Sequence, residues 1–337
     1  MKKASYWKKL DGKAVRCELC PHRCIIKEGG VGVCGVRKNI EGELYTLVWP
    51  KAVAANVDPI EKKPFFHVLP GTLAYSIATV GCNFRCRFCQ NSDISQYPIL
   101  TGKIAGDELP PAEVVGQAKA NGCASIAYTY TEPTVFMEYV IDTARLSARE
   151  GMLNLLVTNG YISTDIIRQD LKGLIDGANI DLKSFSDRFY RRLCAGRLQH
   201  VLDSIKAYHE SGIWLEITTL VIPGENDSRE ELKDIAGFIR SVSSDIPWHV
   251  SRYFPRYLYD KAPPTPLATI EMAREIGLSE GLKFVYTGNI ASSGGEDTYC
   301  PECGSLLISR TGFFVKENNI KNGRCTRCNN VIPGRFQ

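Results

Sequence analysis

Three cysteines at C-x3-C-x2-C spacing, Cys82, Cys86 and Cys89, follow a β-type run, Ala74–Val80, that ends in Gly81. An iron–sulfur cube is held by cysteine thiolates, and a short loop can wrap three of its corners. Three close cysteines leave a fourth iron without a nearby ligand, and an open metal position serves reaction more than scaffolding. A structural zinc site takes four ligands, commonly as two close pairs. No fourth cysteine or histidine lies near this triplet. The loop Cys82–Asn91 therefore reads as a reactive centre that the rest of the fold has to surround.

The remaining cysteines also cluster. Of 13, four lie at Cys17, Cys20, Cys24 and Cys34 and four at Cys300, Cys303, Cys325 and Cys328, while Cys123 and Cys194 stand alone as ordinary small buried hydrophobes. No signal-type segment follows the N-terminus and no apolar run approaches a membrane span, so the expected location is cytoplasmic. Thiols stay reduced there, and grouped cysteines then indicate metal, not disulfides. The formal charge, 41 − 37 = +4, argues for neither a membrane surface nor nucleic acid.

From residue 74 the chain alternates strand-type runs with amphipathic stretches. The runs fall at about 74–80, 124–130, 152–158, 178–182, 214–222 and 248–254, with helical periodicity between them, as in Ala112–Ala120 and Ser228–Ser241. Such alternation predicts βαβ units and a parallel sheet, either doubly wound or a partial barrel, with functional groups at the C-terminal strand ends. The sequence places Tyr130-Thr131-Glu132, Thr158-Asn159-Gly160, Asp181-Leu182-Lys183, Ile222-Pro223-Gly224 and the pair His249 and Arg252 at those ends.

Outside this core, the first four-cysteine group sits among Gly29, Gly30, Gly32 and Gly35 and reads as a tight metal knot. Zinc and an auxiliary iron–sulfur cluster are both compatible, and the closed set of four favours zinc. His22 then falls beside the ligands, not among them. Lys62, Lys63 and His67, after Asp58-Pro59, could reach an anionic group in the active site. The tail carries C-x2-C … C-x2-C around a β-rich spacer, Leu306–Val315, the pattern of a zinc ribbon, behind a linker at 288–295. The expected domains are a cysteine-rich lead-in over 1–72, a core over 73–290 and the ribbon over 291–337.

On these motifs the chain resembles radical S-adenosylmethionine (SAM) enzymes of the group related to pyruvate formate-lyase activating enzymes. Within it, the chain is similar to the radical SAM member of the AmmeMemoRadiSam system. The resemblance runs through Cys17-x2-Cys20-Pro21-x2-Cys24, Asp58–Pro64, the cysteine loop, Thr129–Pro133, Tyr286–Asn289 and the terminal pairs. It implies a partial (β/α)6 TIM-like barrel in which Cys82, Cys86 and Cys89 hold a [4Fe–4S] cluster that binds SAM. It further implies SAM contacts from Phe88, from Tyr130, Thr131 and Glu132 in place of a Gly-Gly-Glu segment, and from Asn159, Asp181, Lys183, Ile222 and His249. Reductive cleavage of SAM would then yield a 5′-deoxyadenosyl radical that takes hydrogen from a substrate.

Two alternatives follow from the same residues. A glycyl-radical-enzyme activase would act on a protein. A non-catalytic module, stabilised by metal and binding protein or nucleic acid, would make all three cysteine groups structural. For the enzyme, the implied partners are a flavodoxin- or ferredoxin-type electron donor and a Memo-like protein.

Overall fold

Amphipathic periodicity becomes helix wherever the ends can be capped. Arg229–Val242 shows the logic: Ser228 accepts a hydrogen bond from the Glu231 amide, Glu230 and Glu231 sit in the first turn, and Leu232, Ile235, Ala236 and Ile239 bury one face. Helices also form at Pro111–Ala120, Met137–Arg149 and Leu198–Glu210, each between two of the strand-type runs, and at Leu267–Ser279 after the last of them. In the computed structural model, which describes residues 1–290 and 294–336, these helices flank one sheet. The linker expected at 288–295 falls in part outside the described residues.

Among the described residues the sheet has eight strands in simple sequential order: β1 (Ala54–Pro59), β2 (Leu73–Ala78), β3 (Ser125–Tyr128), β4 (Leu153–Thr158), β5 (Gly177–Asp181), β6 (Trp214–Val221), β7 (Trp248–Arg252) and β8 (Val285–Gly288). β2 through β8 are parallel, and β1 runs antiparallel along β2. All parallel strands thus end on the same edge. Six strand–helix units were expected; the seventh parallel strand, β8, is the correction. Its short run, Val285-Tyr286-Thr287-Gly288, lacks a helix after it, and a strand without its crossover helix leaves little pattern to read.

The first fifty residues form two small antiparallel sheets, Lys2–Lys3 with Glu43–Thr46 and Arg37–Ile40, and Trp7–Lys9 with Val15–Cys17 and Ile25–Ile26. They are fastened to the core by the Arg37–Glu138 pair, both side chains almost wholly buried and joined at 2.8 and 3.0 Å. The tail folds as Thr298–Tyr299, Leu306–Thr311 and Phe314–Asn318, with a hairpin of Ile320–Lys321 and Arg324–Cys325. Phe66, Phe284, Tyr286, Leu307, Ile308 and Ile332 make a shared apolar cluster, so the tail packs on the core. Arg310 reinforces this seam by donating to the carbonyl of Phe66 at 2.8 Å and to Thr298 at 2.8 Å. No helix among the described residues is long and apolar enough to cross a membrane.

Candidate active site

The parallel strand ends surround a cleft of ≈ 520 Å³, and the cysteine loop forms one wall of it. Gly81 starts the loop at φ 103°, where a side chain would be strained and a Cβ would lie 2.6 Å from Val36. The loop is stitched down by two backbone bonds, Arg85 N–H to Cys194 O at 2.8 Å and Arg87 N–H to Leu193 O at 2.9 Å. Cys82, Cys86 and Cys89 all line the cleft. Cys82 Sγ accepts from the Phe84 amide at 3.3 Å, and Cys89 Sγ meets Ser95 Oγ at 3.3 Å. Cys194, an unremarkable thiol by sequence, lies in hydrogen-bonding contact with Cys86.

Opposite the loop stands Glu132, buried at the end of β3. Its Oε1 accepts from the Thr134 amide (3.0 Å), Thr134 Oγ1 (2.6 Å) and Thr158 Oγ1 (2.7 Å), while Oε2 accepts only the Asn159 amide at 2.8 Å. Burial pushes its pKa up, and these donors oppose that shift. With a single donor, Oε2 keeps an acceptor position. Asn159 also donates to Asn83 Oδ1 at 2.8 Å and approaches Cys82 Sγ at 3.7 Å, coupling β4 to the loop. At β5, Lys183 Nζ sits 2.7 Å from Asp181 and 6.0 Å from the centre of the Phe88 ring. Burial works against its charge, but Asp181 and the sulfurs of Cys86 and Cys194 together outweigh it and hold the pKa well above the ordinary lysine value. The loop after β5 is fixed by Glu231, which accepts from the Phe185 amide at 2.6 Å and from Ser184 Oγ.

Most of the expected residues therefore converge. Phe88, Tyr130, Thr131, Glu132, Asn159, Asp181 and Lys183 line the cleft with the three cysteines. Two do not. Ile222 lies just past β6 with its side chain in the core, and its amide donates to Asn226 Oδ1 at 2.6 Å. His249 is two residues short of Ser251, which lines the cleft. It lies a layer deeper, where its Nε2 meets Glu216 Oε2 at 2.6 Å. Glu216 also accepts the amides of Phe66 and His67, so this buried group seals the floor beneath the cleft.

Of the three basic candidates before β2, Lys62 and Lys63 reach the cleft and His67 does not. His67 bonds to Pro333 O and Tyr286 OH, both at 2.7 Å, at the seam with the tail. Lys63 is buried 2.5 Å from Asp58, which also binds Lys62 at 2.7 Å and Tyr130 OH. Burial pushes Lys63 down to about 8 despite that partner. Asp58 and Asn83 were not singled out by sequence. Asp58 sits in the stretch read as an extended lead-in, and Asn83 sits inside the cysteine loop, where its neighbours drew the attention.

The tail cysteines behave as one closed set. The sulfurs of Cys300, Cys303, Cys325 and Cys328 all lie within 4.8 Å of one another, with Cys300 to Cys328 at 3.6 Å and Cys303 to Cys325 at 3.8 Å.

This fold and loop define a class, and comparison with known proteins agrees. The chain belongs to the radical SAM superfamily, whose family profile matches residues 76–239; it is an enzyme of that superfamily. An uncharacterized protein of Methanocaldococcus jannaschii is 44% identical over 336 residues, covering 98% of this chain and 99% of the relative. The pyruvate formate-lyase 1-activating enzyme of Escherichia coli K12 is 25% identical over 49% of this chain and 67% of its own length, which relates the chain to that group. A solved radical SAM methyltransferase from Sphaerobacter thermophilus shares the fold, with 16% identity, 70% of this chain and 71% of that one covered, and a TM-score of 0.52.

Membership implies a [4Fe–4S] cluster and SAM. The residues present fit them. Three thiols face one cleft, Cys194 beside Cys86 is not part of the cleft lining, and a buried carboxylate in the same cleft keeps one open acceptor.

Proposed function

We propose that this protein cleaves SAM reductively at the cysteine loop and uses the resulting radical to take a hydrogen atom from a substrate in the cleft. One observation carries the reading: the ends of seven parallel strands and a three-thiol loop meet around a single cleft that holds Glu132 and the Asp181–Lys183 pair. When bound, the cluster and SAM supply one-electron cleavage of a carbon–sulfur bond and a 5′-deoxyadenosyl radical.

The chain's own residues do the positioning. Cys82, Cys86 and Cys89 would hold three irons and leave one for SAM. Glu132 would receive the SAM ammonium on its open oxygen, since its other oxygen is already saturated and fixes the carboxylate's orientation. Lys183 stays cationic and is matched to a carboxylate, while Asp181, partly exposed, is matched to ribose hydroxyls. Phe88 offers a ring face near the adenine. The floor at Glu216 and His249 closes the cleft against water from below, which limits quenching of a reactive species.

In this reading the parallel strands form the partial barrel of the superfamily, with residues 1–72 and 291–337 as metal-bearing flanks, and the tail site is zinc. The protein works in the cytoplasm with a flavodoxin- or ferredoxin-type donor and a Memo-like partner of the AmmeMemoRadiSam system. A second reading, a glycyl-radical activase, is favoured by the similarity to the Escherichia coli activating enzyme. It requires a protein substrate and a glycyl radical visible by electron paramagnetic resonance. The experiment that tests the main reading is anaerobic turnover with deuterated candidate substrates and SAM. Deuterium in 5′-deoxyadenosine identifies the substrate, and deuterium-free product with every candidate that is itself transformed would refute hydrogen abstraction from the substrate.

A further inference from the structure

The two outer four-cysteine groups differ in spacing. Around one zinc ion at Zn–S of about 2.3 Å, tetrahedral thiolates stand roughly 3.8 Å apart, and the tail group matches that at 3.6 and 3.8 Å. Among the described residues, no other group of three or more cysteine, histidine or carboxylate ligand atoms lies within 4.8 Å of one another. Cys17, Cys20, Cys24 and Cys34 are therefore too widely spaced for a single ion. So are the three cysteines of the active-site loop. In a cube each thiolate bonds its own iron, which keeps the sulfurs apart.

The space between the four N-terminal thiols is a cavity. It measures ≈ 20 Å³ and is otherwise lined by groups such as Leu19, Ile26 and Val135. Cys24 Sγ accepts the Val33 N–H at 3.5 Å, a contact that favours anionic sulfur. Arg37 is an independent sign. It lines the same cavity with its side chain 2% exposed, its terminal nitrogens are bound by Glu138 and the Ser5 carbonyl, and its Nε–H has no partner. A buried unpaired donor on a cation is costly unless something anionic accepts it. The sulfides of a cluster are such acceptors.

We propose that Cys17, Cys20, Cys24 and Cys34 hold a second iron–sulfur cluster of the four-iron type, and that it relays electrons to the active-site loop. Its place assigns the second part. Asn83 lines the N-terminal cavity and its neighbour Cys82 lines the cleft, so consecutive residues face the two sites. His22 Nε2, on the cavity side, bonds to the Asn83 carbonyl at 2.8 Å. One electron leaves a flavodoxin- or ferredoxin-type donor, which is oxidised by that amount. It reduces the N-terminal site and then passes to the loop site, restoring the first to its starting state; no atom or proton is transferred. This relay rests on the function proposed above, whereas the occupancy does not.

The test is metal analysis of full-length protein, produced and reconstituted anaerobically with iron and sulfide. The proposal expects about eight irons and about one zinc per chain in the wild type. In C82A/C86A/C89A it expects about four irons with a four-iron Mössbauer spectrum. Zinc near two per chain with no iron in that triple variant overturns the occupancy, whatever the loop itself binds. Wild-type iron near four, all of it lost in the triple variant, does the same. Should the triple variant fail to fold, Cys17→Ser/Cys34→Ser is read against the wild type: loss of about half the iron supports the proposal, and loss of zinc alone overturns it. For the relay, Cys17→Ser/Cys34→Ser should slow reduction of the loop cluster by reduced flavodoxin at least about tenfold, while dithionite still reduces it. Equal flavodoxin rates in variant and wild type overturn the relay.

Discussion

Replacing Glu132 with glutamine removes one charge while keeping nearly every atom in place. In the native site Oε1 carries three donors and Oε2 carries the Asn159 amide alone. Glutamine will keep its oxygen where three donors converge, which puts its NH2 at the Oε2 position. There it faces the Asn159 N–H donor to donor, and it faces a SAM ammonium in the same unfavourable way. Losing a hydrogen bond to a charged group costs about 1.5–3 kcal/mol. If the ammonium binds at Oε2, SAM affinity should fall about 10- to 150-fold. The fold should lose a comparable amount through the Asn159 contact. Anaerobic calorimetric titration with SAM gives the first number, and denaturant unfolding gives the second. A Glu132→Gln protein that is destabilised but binds SAM within about threefold of the wild type would refute the assignment and leave Glu132 a purely structural brace.

Three further outcomes follow from the same structure. Glu138→Gln removes the anion from a buried pair and strands the Arg37 guanidinium, so stability should drop by about 3–5 kcal/mol in denaturant titration. Lys183→Met should weaken SAM binding about tenfold or more by the same charged-contact magnitude, and Lys183→Arg should recover part of it. His67 is pushed down to about 4 by burial, from an ordinary value of 6.5. Below pH 6.5 the unfolded chain takes up a proton that the folded one refuses until about pH 4, so stability falls as pH drops through that window. Between pH 7 and 5 the wild type should lose about 2 kcal/mol more than His67→Gln, measured by unfolding at each pH.

What could be read from the sequence was whatever local chemistry repeats. Helix caps such as Ser228 and strand runs such as Leu153–Thr158 carry their signals within a few residues, and the parallel order of the strands follows from their alternation with helices. Cysteine spacing picked out all three cysteine groups, yet it could not separate zinc from a cluster as the occupant proposed for Cys17–Cys34. That distinction depends on how far apart the sulfurs stand in space. The strand-end rule brought Glu132, Asn159, Asp181 and Lys183 to one cleft but misplaced His249 and Ile222. Whether a residue at a strand end faces the cleft, the floor or the core depends on alternation and on distant partners such as Glu216 and Asn226. Asp58 illustrates the same limit, since its role comes from Tyr130, seventy-two positions away in the chain.

SAM cleavage at the loop of Cys82, Cys86 and Cys89, as proposed above, can be followed by its products. The most direct measurement is 5′-deoxyadenosine and methionine formed from SAM by anaerobically reduced protein, wild type beside Cys86→Ala. The account predicts equal amounts of the two products from the wild type and none above background from Cys86→Ala. No 5′-deoxyadenosine from the cluster-loaded, reduced wild type, or the same yield from both proteins, would contradict it.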